Sequence, residues 1–377
     1  MRLVLLDVTK DSLISALQHV LKAVSTNSLI PVLTGINVQA YAKELIFTAS
    51  NASMTIQYRI PQDSRTMTVQ RTGGIVVPAR YFYEIIRKSD AGFIGLEIRD
   101  RLILVITSGN SQIRLSGMDP SEFPSINQVE SPTLKLRINS ALLNSSIKQV
   151  AASVSTSETR PVLTGVYFDY SDERLRLIAT DGVRLASRTI AAENHGNPGV
   201  HVIIPGKNLY EAAKILNDEN NTTEIVVDDR QIRFIANHIQ VRSSLIDGAY
   251  PSIKNVIPKT YLSEVIAETA CLRNAIERAT VLASESIIRL TAISNKIDLL
   301  SRTAEIGEVR DEVPLKELNG EAFTISLNGK FFTDLLRCMD SEYVRLRFTG
   351  KISPIVIQPL DDPSSALFLI TPVRTPD

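Results

Sequence analysis

Apolar residues recur at helical spacing in six places along the chain, and the stretches between alternate or run apolar in the manner of strands. Leu17, Val20, Leu21 and Val24 stand at i, i+3, i+4 and i+7, as do Ile147, Val150, Ala151 and Val154, and again Ile276, Ala279, Thr280 and Ala283. The other three places share a phrase: VPARYFYEIIR from Val77, IPGKNLYEAAK from Ile204 and LNGKFFTDLLR from Leu327. Each opens with an apolar residue, then Pro or Asn, then Ala or Gly, then a cation, with an acid four residues beyond that cation. Pro and Asn suit a helix start, since Pro has no N–H to lose there and Asn can cap. Helices are therefore expected over 10–24, 78–88, 140–154, 205–216, 271–283 and 328–339. LIFTA, LILVI, IRLSG, RLRLIAT, EIVV, IRFIAN, YVRLRF and ALFLIT read as strands broken by Gly, Asn and Asp turns.

The pattern repeats. STNSLIPVLTGI from Ser25, strand-forming text when read by itself, returns as STSETRPVLTGV from Ser155, 130 positions later. A third copy is eroded to ESIIRLTAI after CLRNAIERATVLAS, yet the order of elements is kept. FPSINQVESPT from Phe123 and YPSIKNVIPKT from Tyr250 close two copies with paired prolines, which read as extended connectors. The 377 residues thus divide into three α+β domains, 1–128, 129–255 and 256–377, each with two helices and antiparallel sheets. Blocks with similar faces are expected to join as an arc.

Charge enters through its distribution. Lys plus Arg equals Asp plus Glu, 41 each, so the net charge points to no polyanionic partner. The six expected helices nevertheless hold twelve cations and five acids, with Asp90, Asp218 and Asp340 just outside them. A basic helical face with a more acidic remainder could meet phosphates. The absence of Trp and of an aromatic cluster argues against stacking on single-stranded bases, so a nucleic-acid partner would be duplex, bound through its backbone without sequence preference.

Other chemistry is sparse. No GxGxxG, GxxxxGK[ST], HExxH, GxSxG or CxxC occurs, and the reading is of a binding protein without catalytic residues, cofactor or metal, not an enzyme. His19, His195, His201 and His238 are scattered, and Asp228-Asp229 and Asp361-Asp362 sit in turn-like contexts. Cys271 and Cys338 are the only thiols and are expected to be buried and free. No apolar run is long enough to span a membrane, and MRLVLLDVTKD meets a charge too early for a secretory segment, so a cytoplasmic location is expected.

One asymmetry separates the copies. At the 130-residue offset, ATDGVRLA from Ala179 replaces ASNASMTI from Ala49, placing a hairpin-forming Asp-Gly before Arg184, where the first copy has Met54.

PVLTG twice, VPAR, IPGK, ATDGVRLA, GAYPSI from Gly248, VIPK from Val256 and the terminal LITPVR, taken together and in order, resemble the sliding clamps of bacterial replicative DNA polymerases, the beta subunit. The resemblance covers essentially the whole chain. It implies a DNA clamp fold, three domains with sheets outside and helices inside, two copies closing head to tail as a ring around duplex DNA. In that family the ring is a processivity factor, nucleoid-associated, bound by the replicative polymerase subunit, the clamp loader and other proteins carrying a clamp-binding motif. Carried over to this chain, the DNA-facing cations would be Lys10, Lys22, Arg80, Arg87, Lys148, Lys207, Lys214, Arg273, Lys330 and Arg337. The peptide-binding pocket would comprise Leu163, Thr180, Gly182, Val183, Arg184, Leu185, Pro251, Val256, Pro354, Leu369, Thr371, Pro372, Val373 and Arg374. The ring would close through Ile113 and Leu115 against Val281 and Leu282, strand-rich ends that otherwise stay unpaired.

Two positions depart from the family: Val183 stands where His is frequent, and Thr371 where a long aliphatic residue or Met is usual. Three alternatives therefore accompany the clamp reading. They are a second-copy clamp with altered partner binding, a repeat scaffold that binds proteins and not DNA, and a hydrolase or transferase using acids in no known motif.

Overall fold

The computed structural model describes residues 5–25, 28–63, 65–100, 102–124, 132–192, 199–216, 222–253 and 255–374. The expected connector boundary at 128 and His195 lie outside the described residues. All six expected helices are present: α1 (Lys10–Val20), α2 (Ala79–Lys88), α3 (Ser140–Ala151), α4 (Gly206–Ile215), α5 (Thr269–Val281) and α6 (Gly329–Arg337). Among the described residues twenty-five strands accompany them, and every pairing between these strands is antiparallel.

Helices α5 and α6 end two residues before their expected bounds, at Val281 and Arg337, and α1 and α3 stop sooner still. Helix α1 buries Leu13, Ala16, Leu17 and Val20, then tightens into a 3-10 turn at Leu21–Ala23, and Val24 is already extended. Helix α3 ends at Ala151, short of Val154. After both α1 and α3 comes the repeated phrase, and its PVLT portion forms a 3-10 turn where strand was expected. Pro31–Thr34 and Pro161–Thr164 are 3-10 turns started by Pro and followed by strands beginning at Gly35 and Gly165. Each part of PVLTG then has a physical use. Pro fixes φ at the first position. The Thr hydroxyl donates to the Pro carbonyl, at 2.8 Å for Thr34 and 2.7 Å for Thr164. Ser25 and Ser155 donate their N–H to the Leu33 and Leu163 carbonyls at 3.1 and 2.8 Å. Gly35 lets the chain pass so close to the neighbouring strand that a Cβ there would sit 2.8 Å from the Val77 carbonyl. The doubled phrase is one helix-to-strand corner, built twice.

The chain forms two compact units, Met1–Ser140 with Lys214–Ser244, and Ala141–Ala213 with Leu245–Asp377. The middle repeat is thus shared out between them.

In the first unit a five-stranded sheet orders its strands 67–71, 5–9, 93–99, 103–108 and 111–116. An eight-stranded sheet runs 134–139, 222–227, 231–236, 239–244, 54–61, 44–50, 35–40 and 73–78. The middle repeat joins the first where Val241 faces Ile56. Helices α1 and α2 pack together, α1 lying on the strands at 44–50 and 54–61, with Leu13, Leu17, Phe82 and Ile86 fully buried.

In the second unit a twelve-stranded sheet runs 200–205, 165–171, 174–180, 184–191, 366–370, 355–359, 343–348, 263–268, 307–320, 296–303, 287–293 and 323–328. Its junction is made the same way: Leu185 faces Leu369 across the pair 184–191 and 366–370. Helices α5 and α6 pack side by side, burying Leu272, Ile276, Phe332 and Leu336.

The expected turn and thiol assignments are refined. Asp228 and Asp362 hold turns, Asp228 accepting from the N–H of Arg230 and Gln231, and Asp362 from the Ser364 hydroxyl. Cys271 and Cys338 are free as expected but only half-buried, and burial pushes the Cys338 thiol up.

Candidate functional site

The Asp-Gly hairpin sits at the strand junction of the second unit. Asp181 Oδ1 accepts the N–H of both Val183 and Arg184 at 2.9 Å, and Gly182 takes φ 92°. The first copy makes the same turn: Asn51 Oδ1 accepts from Ser53 and Met54 at 3.1 and 2.8 Å, with Ala52 at φ 73°. Gly at this position relieves the strain that Ala52 carries. The turn is common to the first two repeats, and the side chain of residue 184 is what differs.

Arg184 is held from three sides. Its guanidinium lies 3.1 Å from Asp181, 3.3 Å from Asp334 on α6, and 4.1 Å from the centre of the Phe331 ring. Only 10% of the side chain is exposed. Such a pairing of a planar cation with two carboxylates and an aromatic face fixes position as well as charge. Asp334 and Phe331 were not among the sequence-derived site residues. Their signal was present, because Asp334 is the acid four residues after the cation in the third LNGKFFTDLLR copy.

Behind the hairpin lies an apolar floor. Ile178, Leu185, Ile253, Val356 and Leu369 form one buried cluster, with Tyr167, Tyr250, Ile257, Tyr261 and Leu367 packed on it. Tyr250 stacks on Tyr167 with ring centres 5.1 Å apart. Its hydroxyl finds no partner in normal hydrogen-bond geometry, although the Thr180 backbone approaches it, and burial pushes its pKa up to about 12.

The predicted pocket residues mostly converge here. Thr180 hydrogen-bonds the Arg184 carbonyl through its hydroxyl at 2.6 Å, and Thr371 donates its N–H to the Val183 carbonyl at 2.9 Å. Leu369 pairs with Leu185, and Pro354 immediately precedes the strand whose Ile355 faces Ile370. Val183 and Val256 are 45% and 47% exposed, apolar surface that folding has left uncovered. Pro251 and Arg374 are exposed, Pro372 and Val373 half-buried, and Val373 is tied by its N–H to the Ser326 carbonyl at 2.8 Å. Leu163 stands apart, buried on the 3-10 turn and outside the cluster.

The predicted DNA-facing cations divide. Lys22, Arg80, Lys148, Lys207, Lys214 and Lys330 are exposed. Lys10 is half-buried and donates to the Ser89 carbonyl at the end of α2, and Arg273 is half-buried as well. Arg87 and Arg337 point outward but are each met by a carboxylate, Glu84 at 2.8 Å and Glu277 at 2.9 Å. Arg87 in turn holds the Glu84 carboxyl below the usual range. In the second unit Lys148, Lys207 and Arg337 line one cavity of about 780 Å³ with Tyr210.

The predicted closing residues lie at sheet edges. Among the described residues, the strand Ser111–Ser116, carrying Ile113 and Leu115, pairs only with 103–108. Residues 307–314 pair with 296–303, and pairing with 263–268 begins only at Leu315, which leaves one side of 307–313 without a strand among the described residues. Val281 at the end of α5 is 79% exposed, and Ile306 72%. Among the described residues no group of His, Cys, Asp and Glu could hold a metal ion, and no helix is long and apolar enough to cross a membrane.

Comparison with known proteins gives one answer over the whole length. The sequence matches the N-terminal domain of the DNA polymerase III beta subunit over residues 4–127, the central domain over 137–252 and the C-terminal domain over 254–374. It is 35% identical to the beta sliding clamp of Bacillus subtilis over 375 residues, covering 98% of this chain and 99% of that one. It is 36% identical to the beta sliding clamp of Halalkalibacterium halodurans over 377 residues, with 98% and 99% covered. The crystal structure of the DNA polymerase sliding clamp from Bacillus subtilis superimposes with a TM-score of 0.95, covering 99% of this chain and 100% of that chain.

Proposed function

This chain belongs to the DNA polymerase III beta subunit family, the sliding clamps, and from that premise we propose that two copies close head to tail around duplex DNA and tether the replicative polymerase. The reading rests above all on similarity to named beta sliding clamps from end to end. The part played by this chain is mechanical and not catalytic. Exposed Lys22, Arg80, Lys148, Lys207, Lys214 and Lys330 meet phosphates through weak, sequence-blind interactions, while closure of the ring keeps it on the DNA. Such a factor works in the cytoplasm, at the nucleoid.

Two copies meet edge to edge. The free side of Ser111–Ser116 pairs with the free side of 307–313 in the next copy, a heterologous interface that closes. Beside the first edge, Tyr81, Ile85 and Ile113 line a cavity of about 380 Å³ into which Val281 and its neighbour Leu282 from the other copy fit. Partner proteins, among them the polymerase subunit and the clamp loader, dock a short apolar peptide on Val183, Val256, Leu369 and Thr371, beside the Arg184 anchor. Val183 and Thr371 favour a second form of this reading, a clamp whose partner set is narrower than usual.

The test is topological. Loaded on nicked circular DNA the protein is retained, and it is lost within the same time once the circle is cut to a line. Equal loss from both forms overturns the ring, and DNA-independent binding of partner proteins alone would favour a scaffold.

A further inference from the structure

On the eight-stranded sheet of the first unit, the face away from α1 carries polar side chains at alternate positions, and a cleft of about 660 Å³ opens between that face and the segment around Pro120 and Phe123. Alternation along the strands brings Asn37, Thr48, Arg233 and Arg242 to its floor. The position is unusual when compared within the repeat. At the 130-residue offset Asn37 and Thr48 correspond to Tyr167 and Ile178, which in the second unit belong to an apolar cluster. The first copy has exchanged an apolar floor for a polar one and left it open.

The floor is electrostatically unfinished. Arg233 and Arg242 face each other directly across neighbouring strands, an arrangement that costs stability when both are charged. Burial and then the Arg233 charge pull the Arg242 pKa down, against the Asp228 carboxylate. Glu44, the acid lining the cleft, already lies 3.8 Å from Arg59. Nε of Arg233, a donor, and Oδ1 of Asn37, an acceptor on a residue only 6% exposed, are buried without a hydrogen-bond partner. Orphaned groups of this kind each cost about 1–3 kcal/mol unless something fills them.

We infer that this cleft is a docking site for an acidic, extended peptide segment of a partner protein. The two orphans choose the ligand. A carboxylate accepts from the Arg233 guanidinium, and a peptide N–H donates to Asn37 Oδ1. A phosphodiester supplies the first and has no donor for the second. Tyr41, Phe123 and the prolines beside it give the peptide stem an apolar wall. The site is separate from the Arg184 pocket in residues and in chemistry: that one takes apolar anchors, this one charge.

The probe is a blocked, dye-labelled oligoglutamate titrated into the full-length protein at low ionic strength, with oligoglutamine, inorganic phosphate and oligothymidylate as the other arms. Oligoglutamate binds and oligoglutamine does not; Arg233→Gln weakens binding at least tenfold, and Asn37→Leu several-fold. Ligand-free Arg233→Gln also unfolds at a higher temperature than the parent, because the like-charge pair is gone. Arg233→Lys, which keeps the charge and loses the Nε donor, serves if the first variant does not fold, and it too binds weakly. Lys351→Gln, on an exposed turn of the other unit, changes nothing. Absence of oligoglutamate binding, equal binding by parent and Arg233 variants, or displacement of the peptide by oligothymidylate at lower concentration than by unlabelled oligoglutamate overturns the proposal. Retention on circular DNA is unaffected by these variants, so failure here is distinct from failure of the clamp.

Discussion

The guanidinium of Arg184 stacks 4.1 Å above the Phe331 ring and reaches Asp334 at 3.3 Å, tying the hairpin of one repeat to the last helix of the next. The residue that distinguishes the second copy from the first therefore acts as a brace beside the apolar patch and is not a free charge offered to a ligand. Replacing it with Met leaves Asp181 and Asp334 uncompensated while keeping the bulk. Arg184→Met is expected to lower stability by about 2 kcal/mol in urea unfolding. Arg184→Lys should recover little of that, since an ammonium cannot span both carboxylates and the ring. Full recovery by Lys would mean that charge alone matters.

The patch itself is short of apolar reach at Thr371. Thr371→Met adds roughly two buried methylene-sized groups against an apolar peptide anchor, at about 0.8 kcal/mol each. Affinity for a clamp-binding peptide ending in Leu and an aromatic residue is expected to rise about tenfold by fluorescence anisotropy. No change would indicate that Thr371 does not touch the anchor.

The six helices and the strand runs were legible because periodicity reports which face is buried, as Leu13, Ala16, Leu17 and Val20 illustrate in α1. PVLTG was misread as strand for a definite reason. Its Val and Leu are strand-formers, whereas the Pro-initiated turn and the bond from Thr34 to the Pro31 carbonyl decide the local path. Arg184, Thr180 and Leu185 could be found because the two copies differ at one hairpin. Phe331 and Asp334 could not be tied to that hairpin from sequence, since they meet Arg184 across about 150 residues of chain. The polar cleft was equally hidden: Asn37 and Arg233 are ordinary strand residues until the register places them on one floor.

If the exposed helix lysines neutralise phosphates, their number is measurable. Every phosphate neutralised adds about 0.9 to the steepness of log affinity against log salt on duplex DNA. Lys148→Glu, Lys207→Glu and Lys214→Glu combined are expected to flatten the slope by about 3 and shorten retention on circular DNA, with dimerisation intact. Lys10→Gln should leave the slope unaltered, because that ammonium is occupied at the Ser89 carbonyl. An unchanged slope in the triple variant would place the DNA elsewhere.

Ring closure is expected to fail when a charge is set on the apolar part of the edge. Val281→Asp, at a site 79% exposed within one chain, should leave the fold undisturbed. In sedimentation the species at twice 41.6 kDa should give way to one of 41.6 kDa. Ile113→Asp is expected to do the same from the other side. A dimer that survives both substitutions would mean the two edges do not meet.

Tyr250 offers a test of the packing behind the hairpin. Burial against Tyr167 and the Leu185–Leu369 cluster raises its pKa from the ordinary 10.0 to about 12, which means the folded protein keeps the phenol neutral where the unfolded chain would ionise. The folded state binds that proton more tightly, so stability falls with rising pH wherever the unfolded chain has already lost it. The contribution is whole below about pH 10, declines between about 10 and 12, and amounts to roughly 3 kcal/mol across that interval. Tyr250→Phe retains the ring stack and removes the titrating group, whose hydroxyl has no partner in normal geometry. At pH 8 the variant should match the parent, and near pH 11 it should be the more stable of the two in urea unfolding. Identical alkaline losses would show that the Tyr250 hydroxyl reaches water and that the floor beneath the hairpin is open.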